Sequence, residues 1–256
     1  KPKFVIYNTF LANARARNQS GVSSFITRKA IENLDTIICT ARAQVPPLLA
    51  AGIAPEKIKF APIGIDVKKF VIYSPSFSRD QSTGYILSVG RDMGRDYKTL
   101  FDAVRGLPVQ VVVATKPEAV AGLTVPPNVE IRFNVPYGDM PALYANAAFV
   151  VTPLKRADNP SGSETSGQYG YLEPMAAGKT VIVSDKPVVR DYITHEKTGI
   201  LVLPEDSRAL RAAIEQLTAD EPMRNTLGAV AQKSVLENFT SERWARALAA
   251  IFKSLM

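Results

Sequence analysis

Along the chain, short apolar runs of strand length alternate with stretches whose apolar residues recur every three or four positions. Residues 3–7 read as a strand, followed by a polar, Arg- and Asn-rich loop through Gln19. The spacing then predicts a helix over 23–33, a strand over 36–40, a helix over 43–51 that closes on Gly52, and a strand over 57–63 rich in β-branched and aromatic positions. From 64 to 84 the periodicity fails in a polar stretch of Ser, Pro, Asp and Gln, which reads as an interdomain linker.

A fuller alternating set follows. Strands are predicted over 85–89, 109–115, 129–133, 149–152, 180–184 and 199–202, and helices over 97–105, 140–147, 188–193, 207–218 and 221–238. A break at Phe239-Thr240-Ser241, with Thr240 or Ser241 as the cap, precedes a final helix carrying Trp244 and Phe252. Strands alternating with helices in this way imply parallel sheets built from right-handed crossovers. The expected fold is α/β: a partial, smaller α/β unit over 1–72, a linker over 73–84, a complete doubly wound, Rossmann-like domain over 85–238, and a C-terminal helix over 239–256 packing back toward the small unit.

Composition narrows the class. The chain has 256 residues, 46% hydrophobic and 21% charged, which are the proportions of a soluble globular protein able to bury a core. No apolar run approaches the roughly 18 residues of a membrane span. Cys39 is the only cysteine and sits in an apolar strand, so it reads as a core thiol and favours a cytoplasmic setting. His195 is the only histidine, in a polar turn, which excludes a His-rich metal cluster; no Asp-x-Asp pair is placed to hold a divalent ion, so neither a metal nor a cofactor is expected. The net charge of +7 comes from dispersed basic residues without an aromatic-interleaved run, which argues against nucleic acid. A basic surface suits an anionic sugar nucleotide, or peripheral contact with acidic lipid at the inner membrane face.

Two loops at predicted strand ends carry candidate chemistry. The stretch 165–185 reads as a glycine-bearing loop, a short helix holding Glu173, a glycine exit at Gly178 and a buried strand. Pro174 lacks an N–H and fits the first turn of a helix, so the helix is expected to begin near Gly170, with its amides and positive dipole end aimed at the Ser166-Gly167-Gln168 loop. Such a helix start takes anions, and Glu173 beside it fits the diol of a ribose. The alternative is an ordinary loop with a solvated glutamate. The second loop, Val89-Gly90-Arg91-Asp92-Met93-Gly94-Arg95-Asp96-Tyr97-Lys98, places Arg91 and Arg95 where they could fork across phosphate oxygens, with Gly90 allowing close backbone approach. Its alternative is a solvated turn of Arg–Asp pairs.

With both loops in view, the chain from about Glu32 onward resembles the retaining glycosyltransferases of the GT-B fold, most closely glycosyltransferase family 4, the glycosyl transferases group 1. Asp35-Thr36-Ile37-Ile38-Cys39-Thr40-Ala41 is similar to the strand closing that family's first domain. Gly52-Ile53-Ala54-Pro55-Glu56-Lys57-Ile58 with Pro62-Ile63-Gly64-Ile65-Asp66 and Phe70 resembles its passage into the linker. Ser88-Val89-Gly90-Arg91 matches its Val-Gly-Arg turn, and Leu143-Tyr144-Ala145-Asn146-Ala147 a later helix. Leu172-Glu173-Pro174-Met175-Ala176-Ala177-Gly178 through Ile182 resembles its glutamate helix, departing at Pro174 and Thr180, and Thr198-Gly199-Ile200-Leu201-Val202 its last strand.

The resemblance implies that Arg91 and Arg95 hold the donor diphosphate, with Lys98 competing for the place of the family's lysine. It also implies that backbone from Ser166 to Gln168 cradles phosphate and that Glu173 takes the ribose. Thr165 stands where the family has its first glutamate, with Glu164 one position away, so recognition of the donor sugar is expected to differ. Phe133 and Asn134, at a strand end, are expected to line the base pocket. The implied function is retaining transfer from a nucleoside-diphosphate sugar to a saccharide or lipid-linked acceptor. Only about 70 residues precede the linker, so this chain is expected to carry the donor site and to transfer sugar weakly by itself. The competing reading is a non-catalytic nucleotide-sugar-binding or partner subunit. An epimerase would want more carboxylates and histidines in the cleft.

Overall fold

The computed structural model of the protein describes residues 3–8, 33–71, 84–156, 165 and 167–256. The predicted helix over 23–33, most of the predicted linker, Glu164 and Ser166 lie outside the described residues.

Three short strands, β1 (Val5–Asn8), β2 (Thr36–Cys39) and β3 (Ile58–Phe60), pair in parallel in that order. Helix α1 (Val45–Ala50) connects β2 to β3 and carries Pro46 and Pro47 in its first turn, where a missing N–H costs no hydrogen bond. Ile37 and Cys39 face Leu48 and Ile53 in a small core, and Cys39 is fully buried. A one-turn helix, α2 (Lys68–Val71), follows.

The second unit runs β4 (Tyr85–Val89), α3 (Tyr97–Val104), β5 (Val111–Thr115), α4 (Pro117–Val120), β6 (Val129–Phe133), α5 (Met140–Asn146), β7 (Ala147–Thr152), α6 (Gln168–Ala176), β8 (Val181–Ser184), β9 (Ile200–Val202), α7 (Ser207–Ala219) and α8 (Glu221–Asn238), with α9 (Ser241–Lys253) last. The six strands are parallel in the order β6-β5-β4-β7-β8-β9. The chain thus winds outward from β4 on one side and returns to wind outward from β7 on the other. Strands β5, β7 and β8 are buried at every position, as expected of a parallel sheet covered on both faces. Leu87, Val112 and Val150 pack with α6 and α8 residues on one face, while Ile86, Val113 and Val151 pack with α3 and α7 on the other.

Two expectations need correcting. Helix α6 begins at Gln168, so Pro174 lies in its interior and not in its first turn. The carbonyl that Pro174 cannot serve belongs to Gly170, and it accepts a hydrogen bond from the Thr152 hydroxyl at 2.9 Å instead. A side chain on the neighbouring strand therefore removes the unsatisfied acceptor that normally keeps proline out of a helix. The helix expected over 188–193 is only a 3₁₀ turn, Val189–Asp191.

The two units meet at two joints. Where the chain crosses from one to the other, the Ile65 amide donates to the Phe239 carbonyl and the Ser241 amide to the Ile65 carbonyl, at 2.9 and 2.8 Å. Gly64 makes this approach feasible, because a β-carbon there would stand 2.2 Å from the Thr240 carbonyl oxygen. Thr240 caps α9, accepting from the Arg243 amide, and Trp244 on that helix meets the Tyr7 ring edge-on at 5.8 Å. The second joint is a buried hydroxyl. Tyr192 donates to the Thr40 carbonyl and accepts from the Ile63 amide and the Gln168 side-chain amide, using its one donor and both lone pairs. Beside it Asp191 takes the backbone and guanidinium of Arg42 at 2.6 and 2.7 Å.

Candidate active site

A doubly wound sheet leaves a crevice at the carboxyl ends of its strands where the winding direction reverses, here between β4 and β7. The residue after β4 is Gly90, whose backbone is fixed from three sides. Its amide donates to the Ala114 carbonyl, and its own carbonyl accepts from the hydroxyls of Tyr97 and Thr115 at 2.7 and 2.6 Å. The turn that follows closes through Asp92, which accepts from the Gly94 amide, and Asp96, which caps α3. Backbone bonds from Asp96 to Pro153 and from Lys155 to Gly94 zip this turn to the end of β7.

The turn directs Arg95 inward, 6% exposed, with its guanidinium threaded among three glycines. A β-carbon at Gly90 would lie 1.6 Å from Nε, one at Gly167 2.7 Å from Nη1 and one at Gly170 2.9 Å from Nη2. Neither Nε nor Nη1 finds a hydrogen-bond partner among the described residues. The Asp92 carboxylate is 3.7 Å from Nε and itself partly exposed, beyond hydrogen-bonding distance. A buried guanidinium left this way is costly, and the cost falls when an anion enters. The first turn of α6 is on the same side: its N-cap is Gly167, left-handed at φ 98°, a residue with no side chain to cap the helix amides.

Glu173 lies one turn farther along α6, 4% exposed. Its Oε1 accepts from the Tyr137 hydroxyl at 3.0 Å and its Oε2 from the Tyr144 hydroxyl at 2.9 Å. Burial raises its carboxyl pKa to about 7, against the pull of the two hydroxyls and of Lys69. Arg91, Arg95, Gly170 and Glu173 line one cavity of about 480 Å³, with Tyr137, Tyr144 and Tyr169 completing its wall. A larger depression of about 610 Å³ between β1 and α9 is walled by side chains such as Val5, Ile38 and Leu248 and carries no comparable chemistry.

The structure thus brings together Gly90, Arg91, Arg95 and Glu173, with Gly167 against the guanidinium. Arg91 crosses the cleft mouth and donates to the Val135 carbonyl. Other expected residues stand elsewhere. Lys98 is exposed on α3 and paired with Asp102 at 2.7 Å, away from the cavity wall. Gln168 turns its side chain to Tyr192 and Thr40, leaving only backbone for the cleft. Phe133 is half exposed and, like Asn134, absent from the wall; Asn134 instead turns the chain at φ 53° so that Val135 reaches it. Thr165 is buried. The three tyrosines were missed in the sequence. Tyr144 lies in the Leu143–Ala147 motif and was within reach of it, but Tyr137 and Tyr169 carry no local signal.

A doubly wound sheet with this crevice, joined to a second parallel sheet, is a GT-B-like architecture. Residues 80–234 match the model of the family described as Glycosyl transferases group 1. That match covers more than half of the chain, and the chain belongs to this family. Among curated proteins it is similar to the lipopolysaccharide core biosynthesis mannosyltransferases LpcC of Rhizobium leguminosarum bv. viciae, 35% identical over 85 residues, and LpsB of Rhizobium meliloti, 32% identical over 87. These matches cover 33% of this chain and only about a quarter, 24% and 25%, of those proteins. Among solved structures, sucrose-phosphate synthase from Thermosynechococcus elongatus superposes with a TM-score of 0.78 at 20% identity, over 99% of this chain and 68% of that one. Anabaena Alr3699/HepE, solved in complex with UDP and glucose, superposes with a TM-score of 0.79 at 17% identity, over 98% of this chain and 72% of that one. At these identities the likeness is one of fold.

Proposed function

We propose that this protein is the donor-binding part of a retaining glycosyltransferase of family 4. In this reading a nucleoside-diphosphate sugar enters the cleft between β4 and β7, its diphosphate against Arg95, Arg91 and the first amides of α6, and its ribose diol against Glu173. The observation that carries the reading is Arg95, a buried guanidinium on the wall of a cleft that also holds a carboxylate, with two nitrogens that lack a hydrogen-bond partner among the described residues. The mannosyltransferase names of the curated relatives and the UDP complex of a fold neighbour agree with it.

In the transfer step the bond between the sugar C1 and the diphosphate oxygen breaks, and a bond from C1 to the acceptor oxygen forms on the same face. The acceptor proton passes to the departing diphosphate oxygen. Charge grows on that diphosphate as it leaves, and the fixed guanidiniums of Arg95 and Arg91 stabilise it there. In this reading neither a metal nor a cofactor takes part. The acceptor, a saccharide or a lipid-linked one, approaches from the small unit. By itself the chain is expected to turn over weakly.

A second reading, a non-catalytic nucleotide-sugar-binding or partner subunit, is favoured by Thr165, which is buried and stands where the resemblance wants a glutamate. Calorimetry with uridine, guanosine and adenosine diphosphates tests the shared claim, and turnover of a radiolabelled donor separates the two. Binding with turnover supports the enzyme and binding without turnover the subunit. Failure of all three diphosphates to bind overturns both.

A further inference from the structure

The two hydroxyls on Glu173 differ in their freedom to leave. Tyr144 is fully buried, its ring edge-on to Phe70 at 5.9 Å, so its bond to Oε2 belongs to the core. Tyr137 is 53% exposed and lies in a 3₁₀ turn, Tyr137–Asp139, between Pro136 and Gly138, where even an added β-carbon at Gly138 would meet open space. One face of its ring receives Lys69 at 5.3 Å. Both the Tyr137 ring and Glu173 line the cavity, so the Oε1 position that Tyr137 fills opens on the ligand space.

We propose that the Tyr137 hydroxyl is a placeholder on Glu173, occupying the position a ligand hydroxyl takes and moving aside when the ligand binds. This rests on the reading that Glu173 receives a ribose hydroxyl. A buried carboxylate needs hydrogen-bond donors whether or not a ligand is present. Tyr144 supplies one permanently and Tyr137 the other only while the cleft is empty. The exchange makes Tyr137 a specificity-determining residue, because a ligand must bring its own hydroxyl to displace it, and a nucleotide lacking that hydroxyl leaves Tyr137 in place. Lys69, on α2 at the edge of the small unit, loses its ring partner when Tyr137 swings out, so occupancy of the cleft is felt at that helix.

The test compares wild type, Tyr137→Phe and Tyr144→Phe by calorimetry with uridine, guanosine and adenosine diphosphates and with their 2′,3′-dideoxy counterparts. Tyr137→Phe removes the competitor but keeps the ring on Lys69, so the ribonucleotide is expected to bind roughly three- to tenfold tighter, with the dideoxy ligand unchanged. Tyr144→Phe is expected to weaken the ribonucleotide. Unchanged or weaker ribonucleotide binding by Tyr137→Phe, or the same tightening with the dideoxy ligand, overturns the placeholder while the proposed function stands. If no diphosphate binds wild type, the functional reading has failed and the placeholder falls with it.

Discussion

Gly90 and Arg95 are so close that the space a β-carbon would take on the first is filled by Nε of the second, 1.6 Å away. The glycine that follows β4 is thus required by the guanidinium packed against it. Gly90→Ala is expected to push Arg95 out of its glycine cage and cut nucleoside-diphosphate affinity at least tenfold, at a stability cost of about 1–3 kcal/mol for the overpacked site. Calorimetry and thermal melts read the two effects separately, and unaltered affinity in a folded variant would remove Arg95 from the binding site.

Glu173 supplies a pH signature. Its carboxyl is raised to about 7 by burial, so the folded state holds this proton more tightly than the unfolded chain does. Between the ordinary glutamate range and pH 7 the native state therefore binds more protons, and stability falls as pH rises through that window. A shift of this size corresponds to roughly 3 kcal/mol, fully expressed as destabilisation above pH 7. Glu173→Gln is expected to flatten the change in denaturant midpoint between pH 5 and 8, and to lose ribonucleotide affinity at pH 8. A variant that keeps the wild-type pH slope would show that another group titrates.

Thr152 should be worth more than an ordinary threonine, because its hydroxyl serves the Gly170 carbonyl that Pro174 cannot. Thr152→Val is expected to cost about 1–3 kcal/mol by leaving a buried acceptor unsatisfied. In a Pro174→Ala background the restored amide can bond Gly170, and the same substitution should cost clearly less. Additive costs in that double-mutant cycle would mean that the two residues do not share the acceptor.

Tyr192→Phe removes one oxygen that satisfies three polar groups, the Thr40 carbonyl, the Ile63 amide and the Gln168 side chain. The expected loss is about 2–4 kcal/mol in chemical denaturation, larger than for a tyrosine with a single bond. Because Gln168 is the first residue of α6, nucleoside-diphosphate affinity should fall as well. A stability change without an affinity change would separate the joint from the cleft.

Much of the larger unit is legible in the chain because its strands are buried on both faces and read as unbroken apolar runs, as at Val111–Thr115 and Val181–Ser184. The cationic turn is legible too, since it follows the end of β4, and Glu173 is legible from the motif around it, Leu172 through Gly178. What sequence spacing misses comes from other elements. Pro174 misleads because the remedy for its missing N–H lies on β7, at Thr152, eighteen positions away along the chain in Gly170's bond. Tyr137 reaches Glu173 from a turn after β6, thirty-six positions upstream. Gln168 resembles a phosphate-loop residue until the small sheet is seen to claim its side chain.

The paired bonds between Ile65 and residues 239 and 241 fasten the two strands of chain that run between the sheets, and the Tyr192 ring rests on Phe239 with centroids 4.9 Å apart. A single residue, Phe239, thus ties both fastenings together, its carbonyl to Ile65 and its ring to Tyr192, so a change there loosens the two at once.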